Sequence, residues 1–504
     1  MTADSAQSTR PNILLICVDQ MRGDALSLLG HPVVRTPYLD QLGQRGAVFT
    51  NAYSATPTCV PARVALFTGA SQERHGRYGY REGVPFQAAH DRSVASVLGE
   101  HGYQTQAIGK MHVFPERSRV GFDNVVLHDG FLHFARRHGN RNLEAGDDYL
   151  AWLHNQPGQS QADLVDHGAG CNSQVARPWD KAEALHPTTW ATTEAIDFLR
   201  RRDTTAPFFL YLSFHRPHAP YDPPQWLLDQ YLAADHPEQV VGDWVADLDE
   251  WLTDGEVEAE FTRLPEDVRR RVRAGYWGLI TQIDFQVNRL MEALSDYGLL
   301  EDTAVLFVSD HGDMMGDHHM WRKSVGYEGS AKVPLIVTLP ASNGDYPRGA
   351  LRTQVAELRD VMPTILDIAG IAVPDTVDGQ SLVPLITESG DGAWRSHLHG
   401  EHTLHRFGMW QANHWVTDGH AKLMWFSGDG MEQFFDLDAD PGEVHNLIDV
   451  AARREEIALW RGRLIDALTG REEGFVADGQ LVPGRQVRNE SSRVQHVIDD
   501  WYQS

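Results

Sequence analysis

Cysteine is scarce in this sequence: 504 residues carry three, at Cys17, Cys59 and Cys171. Three thiols in so long a chain make no disulfide framework, so the fold has to be held by apolar burial. Cys17 lies inside the apolar run 13–18 and reads as a small buried hydrophobe, while Cys171 sits in a Gly-rich polar stretch. Long apolar runs are also missing. Nothing approaches the ~18 consecutive apolar residues of a membrane span. Residues 1–11 are polar and lack the apolar core of a secretory signal. The expectation is a cytoplasmic protein without a membrane partner. Positive charge is in deficit as well: 44 Lys and Arg face 70 Asp and Glu, a net charge of −26. Such a surface repels nucleic acid and anionic membranes at long range. Its simplest meaning is solubility. An anionic substrate would need a local pocket of Lys, Arg, His or metal.

What is present is an alternation. Residues 12–18, 104–108, 207–214, 304–309 and 332–338 read as buried strands, because apolar residues run almost without interruption. Between them, 36–46, 93–102, 188–202, 275–297 and 359–369 read as helices. Thr36-Pro37 marks a helix start, and an apolar stripe of Leu279, Ile280, Ile283, Val287, Leu290 and Leu294 marks a long one. Strands alternating with helices predict an α/β domain, a large, mainly parallel sheet sandwiched by helices. At this length a second unit is expected. After residue 389 the pattern changes to short strands at 414–417, 422–425 and 433–436 and a helix at 450–468. Residues 10–389 are therefore expected to form the large domain, and 390–504 a smaller α+β domain with a polar tail serving as an arm or homo-oligomer contact. The acidic stretch 235–266 reads as an insertion or lid. In parallel sheets, ligands bind at the carboxyl ends of strands. Four strand ends here lead into polar, chargeable residues: Asp19 and Gln20; Lys110 and His112; His215 and His218; Asp310 and His311.

Thr58-Cys59-Val60-Pro61-Ala62-Arg63 carries the sharpest signal. Pro61 suits a first helical turn, which puts Cys59 at a helix N-terminus, where N–H groups and the dipole favour negative charge. Taken alone, this could equally be a small buried Cys before a helix. It is joined by Gly109-Lys110-Met111-His112 about 50 residues on, and by Pro217-His218-Ala219-Pro220, Ser309-Asp310-His311-Gly312, Trp321-Arg322-Lys323 and Phe434-Phe435-Asp436-Leu437. C-x-P-x-R followed by G-K-x-H resembles the type I, formylglycine-dependent sulfatases of the alkaline phosphatase superfamily, close to arylsulfatases and phosphonate monoester hydrolases. The resemblance covers most of residues 10–385.

That resemblance implies an alkaline phosphatase-like fold and a single divalent metal held by Asp19, Gln20, Asp310, His311 and position 59. Ca²⁺ comes first for such oxygen-rich sites; Asp-Gln in place of two Asp, with one nitrogen donor, leaves Mn²⁺ or Mg²⁺ open. It further implies that a separate maturation enzyme converts Cys59 to formylglycine, whose hydrate attacks sulfur in line. Arg63, Lys110 and Lys323 would stabilise charge on the sulfuryl oxygens. His218, with Lys323 beside it, would protonate the leaving oxygen, and His112 would deprotonate the second hydroxyl to expel sulfate. His215, His318, His319 and Asp317 read as pocket lining or surface, and Asp313 as structural. The expected substrate is a small sulfate ester. Two rivals stand beside this reading. One is a phosphonate monoester or phosphodiester hydrolase, which shares Asp-Gln but resembles this chain less at Lys110 and His112. The other is an unconverted, catalytically silent anion-binding protein.

Overall fold

A computed structural model describes residues 10–130, 143–388, 394–406 and 409–503. The polar residues 1–9, residues 131–142 and the boundary expected between 389 and 390 lie outside the described residues.

The large sheet is built from β1 (Asn12–Asp19), β2 (Ala47–Phe49), β3 (Gln104–Gly109), β4 (Asn124–Leu127), β5 (Phe208–Pro217), β6 (Thr303–Ser309), β7 (Leu335–Thr338) and β8 (Ala350–Arg352). Their spatial order is β8-β2-β7-β6-β1-β5-β3-β4. All neighbours pair in parallel except β7, which runs against both β2 and β6. The expected mainly parallel sheet is therefore present, with β7 as the reversed strand. Its start is later than the expected 332 because Pro334 has no N–H to give a ladder.

The helices that sandwich this sheet are α1 (Pro37–Arg45), α2 (Cys59–Thr68), α3 (Val94–Glu100), α4 (Pro187–Arg201), α5 (Glu266–Asp296) and α6 (Val361–Ile368). β1 shows why central strands read as unbroken apolar runs. Leu14, Ile16 and Val18 pack on one face with Trp190 and Ala191 of α4 and Ile280, Ile283 and Val287 of α5. Ile13, Leu15 and Cys17 pack on the other with Leu66 and Phe67 of α2, Val97 and Leu98 of α3 and Ile365 of α6. Cys17 is thus the buried hydrophobe its sequence position suggests. The long helix starts nine residues before the expected 275. Pro265 occupies its N-cap, and Glu266 and Asp267 sit in the first turn, where carboxylates complement the helix dipole.

The second sheet is antiparallel: β9 (Leu398–Arg406), β10 (Met409–Thr417), β11 (Ala421–Phe426) and β12 (Glu432–Asp436), in that order, with α7 (Arg454–Leu468) packed on it. β9 escaped the sequence reading because His, Glu and Thr replace apolar residues along it. The acidic 235–266 segment is partly a packing element: Trp244, Val245 and Leu248 join Tyr327, Trp415 and Phe435 in one cluster, with Trp244 stacked 4.9 Å from Tyr327. The polar tail ends in α8 (Ser492–Gln503), which folds back onto the large domain. Val494 and Ile498 pack against Val84 and Ala89, and the Tyr502 hydroxyl donates to the Gly83 carbonyl at 3.0 Å. Among the described residues, no helix is long and apolar enough to cross a membrane.

Candidate active site

The carboxyl ends of β1, β3, β5 and β6 meet the N-terminus of α2 above the sheet. β1 delivers Asp19 and Gln20, and β6 delivers Asp310 and His311; all four are fully buried. Cys59 occupies the first position of α2, 2 % exposed, and Thr58 makes no side-chain cap to that helix. The Cys59 sulfur lies 3.2 Å from His311 Nε2, 3.6 Å from Asp19 Oδ1 and 3.8 Å from Lys110 Nζ. Lys110 is brought there by β3, which packs so closely on β5 that a Cβ on Gly109 would lie 1.9 Å from the Ser213 carbonyl oxygen. Gly109 also has φ +91°, so the glycine of G-K-x-H is a steric requirement. The Lys110 amide donates to that same Ser213 carbonyl at 3.0 Å, and its ammonium is paired with Asp19.

One ligand atom each from Asp19, Cys59, Asp310 and His311 falls within 4.8 Å of the others. Burial, and then the neighbouring charge of Asp19, push the Asp310 carboxyl above the ordinary range. Burial works against the charge of Asp19 too, but Lys110 and then His218 outweigh it and hold this carboxyl well below the usual range. Two adjacent buried carboxylates, one resisting ionisation through burial and then through the other's charge, leave room for a further cation between them. The donor set of carboxylates and imidazole therefore fits a divalent ion.

Gln20 is held at both ends: its Nε2 donates to Asp313 Oδ2 at 2.5 Å, and its Oε1 accepts from Lys323 Nζ at 2.6 Å. Its backbone N–H donates to Asp310 Oδ1 at 3.1 Å. Arg63 stands behind Cys59, 1 % exposed. Its Nε donates to Asp310 Oδ2 at 2.9 Å, and its Nη1 donates to the Lys110 carbonyl, the Tyr211 hydroxyl and Ser213 Oγ at 2.7–2.9 Å. The guanidinium thus fastens Asp310 and two strand ends.

A cleft of about 650 Å³ opens over this floor, lined by Cys59, Lys110, His112, His215, His218 and Lys323, with Tyr80, Asn172, Glu260 and Arg322 around them. His112 is steered by its own backbone N–H, which donates to Asp129 Oδ1 at 3.1 Å. Burial and then Lys110 bring its imidazole down to about 4, so the ring is neutral near pH 7. Burial and then Lys323 likewise hold His218 well below the ordinary range. Asp129, Tyr211, Ser213 and Asn172 were not read from the sequence; they support or rim the site through backbone and hydroxyl contacts that leave no motif. His318 is elsewhere: it is buried beside Trp244, 4.8 Å between centroids, and accepts the Gly242 N–H at 3.0 Å. Asp317 pairs with Arg22 and Arg273, and Asp313 is the structural anchor that its turn position suggested.

Comparison with known proteins identifies this arrangement. The profile of the family described as Sulfatase matches residues 11–371, and that described as N-sulphoglucosamine sulphohydrolase, C-terminal, matches residues 316–467. This chain belongs to the sulfatase family. The Arylsulfatase of Clostridium perfringens (strain 13 / Type A) is 46 % identical over 491 residues, covering 97 % of this chain and 100 % of that protein. The Multifunctional alkaline phosphatase superfamily protein PehA of Trinickia caryophylli is 28 % identical, covering 87 % of this chain and 91 % of its own length. The phosphonate monoester hydrolase of Agrobacterium radiobacter superposes with a TM-score of 0.76 at 26 % identity, over 91 % of this chain and 95 % of that one. The fold is accordingly alkaline phosphatase-like.

Proposed function

We propose that this chain hydrolyses sulfate esters, aryl sulfates foremost, in the Cys59 cleft, and that residues 10–389 form the catalytic unit. The observation that carries this reading is Cys59 at the start of α2, against His311, Asp19 and Lys110, in a cleft where lysines and histidines face an otherwise acidic protein. The similarity to an arylsulfatase over nearly the whole chain supports it.

In this reading Cys59 is the precursor of formylglycine, made by a maturation enzyme of the host. Asp19, Gln20, Asp310 and His311, with position 59 beside them, would hold a divalent ion, which would supply positive charge to acidify an oxygen nucleophile and offset sulfuryl charge. Ca²⁺ is the first candidate, with Mn²⁺ or Mg²⁺ behind it. Arg63 orients Asp310. Lys110 and Lys323 face the sulfuryl group. One hydroxyl oxygen of the hydrated side chain at position 59 bonds to sulfur as the ester S–O bond breaks, and the leaving oxygen takes its proton from the Lys323–His218 pair. Neutral His112 then accepts the proton from the remaining hydroxyl at position 59, so that sulfate departs and the aldehyde is restored.

The Asp19-Gln20 pair and the likeness to a phosphonate monoester hydrolase favour phosphonate monoester or phosphodiester cleavage as a second reading, here a side activity. A panel of aryl sulfate, phosphonate monoester and phosphodiester substrates separates the two. The highest kcat/KM is expected for the sulfate, and a higher value for either phosphorus ester reverses the assignment.

A further inference from the structure

Lys323 stands in a loop that the second sheet grips. The residues on either side of it, Arg322 and Ser324, have φ of +66° and +79°. Residues with a Cβ seldom adopt that region, and they persist there only where the surroundings over-determine them. On the nucleophile side, the Ser324 N–H donates at 3.0 Å to the carbonyl of Pro57, just upstream of Cys59. On the other side the hold is on Gly326. Its N–H donates to Asn413 Oδ1 of β10 at 2.8 Å, and its carbonyl accepts from Lys422 Nζ of β11 at 2.7 Å. The fit is close: a Cβ on Gly326 would lie 2.7 Å from the Trp415 ring of β10. The residues that follow are tied to the same part of the chain. The Tyr327 hydroxyl donates to Gln433 Oε1 of β12 at 2.7 Å, and the Glu328 N–H donates to Glu443 Oε2, also at 2.7 Å.

Lys422 is fully buried, and each of its three ammonium hydrogens has an acceptor: the Gly326 carbonyl, and Glu328 Oε1 and Glu443 Oε1, both at 2.8 Å. Burial works against its charge, but Glu328 and then Glu443 outweigh it and hold the ammonium above the ordinary lysine range. An apolar side chain of similar volume would often hold two packed layers as firmly. It would not grip a carbonyl. We infer that Lys422 and Asn413 are positioning residues for Lys323: by gripping Gly326 at its N–H and its carbonyl, they hold the strained loop so that the Lys323 ammonium meets His218 Nε2 and Gln20 Oε1. Both are fully buried, so they act on the reaction through the loop. The inference rests on reading Lys323 as the group that protonates the leaving oxygen.

The test is a double-substitution cycle in the matured, metal-loaded enzyme, with 4-nitrophenyl sulfate and a sulfate ester of a poor leaving group as substrates. Lys422→Met is expected to lower kcat/KM for the poor-leaving-group ester about 100-fold, the cost of misplacing a catalytic group by about 1 Å, and that for 4-nitrophenyl sulfate much less. Asn413→Ala removes one neutral hydrogen bond and is expected to show the same bias at smaller size. It carries the test should Lys422→Met not fold, with melting curves recorded for all. In the Lys323→Met background, either substitution is expected to cost no more than about twofold further, because losses that act through one group do not add. A merely structural residue would lower both esters alike and would add its full loss to that of Lys323→Met. Where Lys323→Met shows the leaving-group bias, either of those results in a folded variant overturns the inference. Failure of the proton-donor reading is a different result: Lys323→Met itself loses equally on both esters. The cycle is then read on 4-nitrophenyl sulfate alone, where a non-additive loss upholds the positioning role and an additive one overturns it. Should the parent prefer a phosphorus ester, the same cycle is run on the 4-nitrophenyl and poor-leaving-group esters of that acid.

Discussion

Lys323 Nζ lies 2.9 Å from His218 Nε2, while His218 Nδ1 lies 2.9 Å from the carbonyl oxygen of Ala219. The carbonyl can only accept, so Nδ1 carries the ring hydrogen and Nε2 receives one from the ammonium. In the proposed reaction the transferable proton therefore rests on Lys323, with His218 as its support, where the sequence reading put His218 first with Lys323 beside it. Lys323→Met and His218→Ala are both expected to lower kcat/KM for an ester with a poor leaving group by roughly 100- to 10,000-fold, and that for 4-nitrophenyl sulfate much less. Equal losses on both esters would take proton donation away from the pair.

The crowding of Asp19 and Asp310 predicts a metal-dependent fold stability. An ion that binds only the folded chain raises its melting midpoint. Chelation is expected to lower that midpoint, re-addition to restore it, and Asp310→Asn to abolish the difference while reducing bound metal. An unchanged midpoint on chelation of the parent protein contradicts a resident ion at this site.

The thiol of Cys59 gives a second handle. Burial and then Asp19 oppose its ionisation, but Lys110, Lys323 and His311 outweigh them and bring it down to about 6. In unmatured, metal-free protein, alkylation of Cys59 should rise through pH 6, well below an ordinary thiol at ~8.5. Lys110→Gln should move that rise upward. A profile of ordinary thiol type in the parent would mean that the lysines do not act on the sulfur.

Far from the cleft, Asp284 of α5 caps another helix: its Oδ1 accepts the backbone N–H groups of Tyr38 and Leu39 in α1 at 3.0 and 2.7 Å. Burial raises this carboxyl to about 7, against the lowering effect of those bonds. The folded chain thus keeps a proton that the unfolded chain has released between pH ~4 and about 7. Stability is full below that window and falls as pH rises through it. Asp284→Asn keeps the acceptor and should flatten this part of the pH–stability curve, read from denaturant midpoints. An unaltered slope would show that Asp284 is ionised in the native state.

Much of this was legible because buried strands and their polar ends leave local signatures. β1, β3, β5 and β6 were readable as apolar runs, and Asp19, Lys110, His218 and Asp310 stand at or just beyond their ends. Direction was not legible. Nothing local in 335–338 says that β7 runs backwards, since both faces are buried either way. Nor does spacing show that Arg63 turns inward to Asp310 while Lys323 turns out to the cleft. That depends on Tyr211 and Ser213 of β5, which are about 150 residues away in sequence. β9 and the return of α8 were hidden because their partners are supplied by other elements rather than by their own periodicity.

The central claim is that position 59 carries the nucleophile of a sulfate-ester hydrolase. Its most direct measurement is the mass of the peptide spanning residue 59, from active protein purified out of its native host. The account predicts a peptide in which an aldehyde or its hydrate replaces the CH2SH group, its abundance rising with specific activity toward aryl sulfate. A fully active preparation whose peptide carries an unmodified thiol would contradict it.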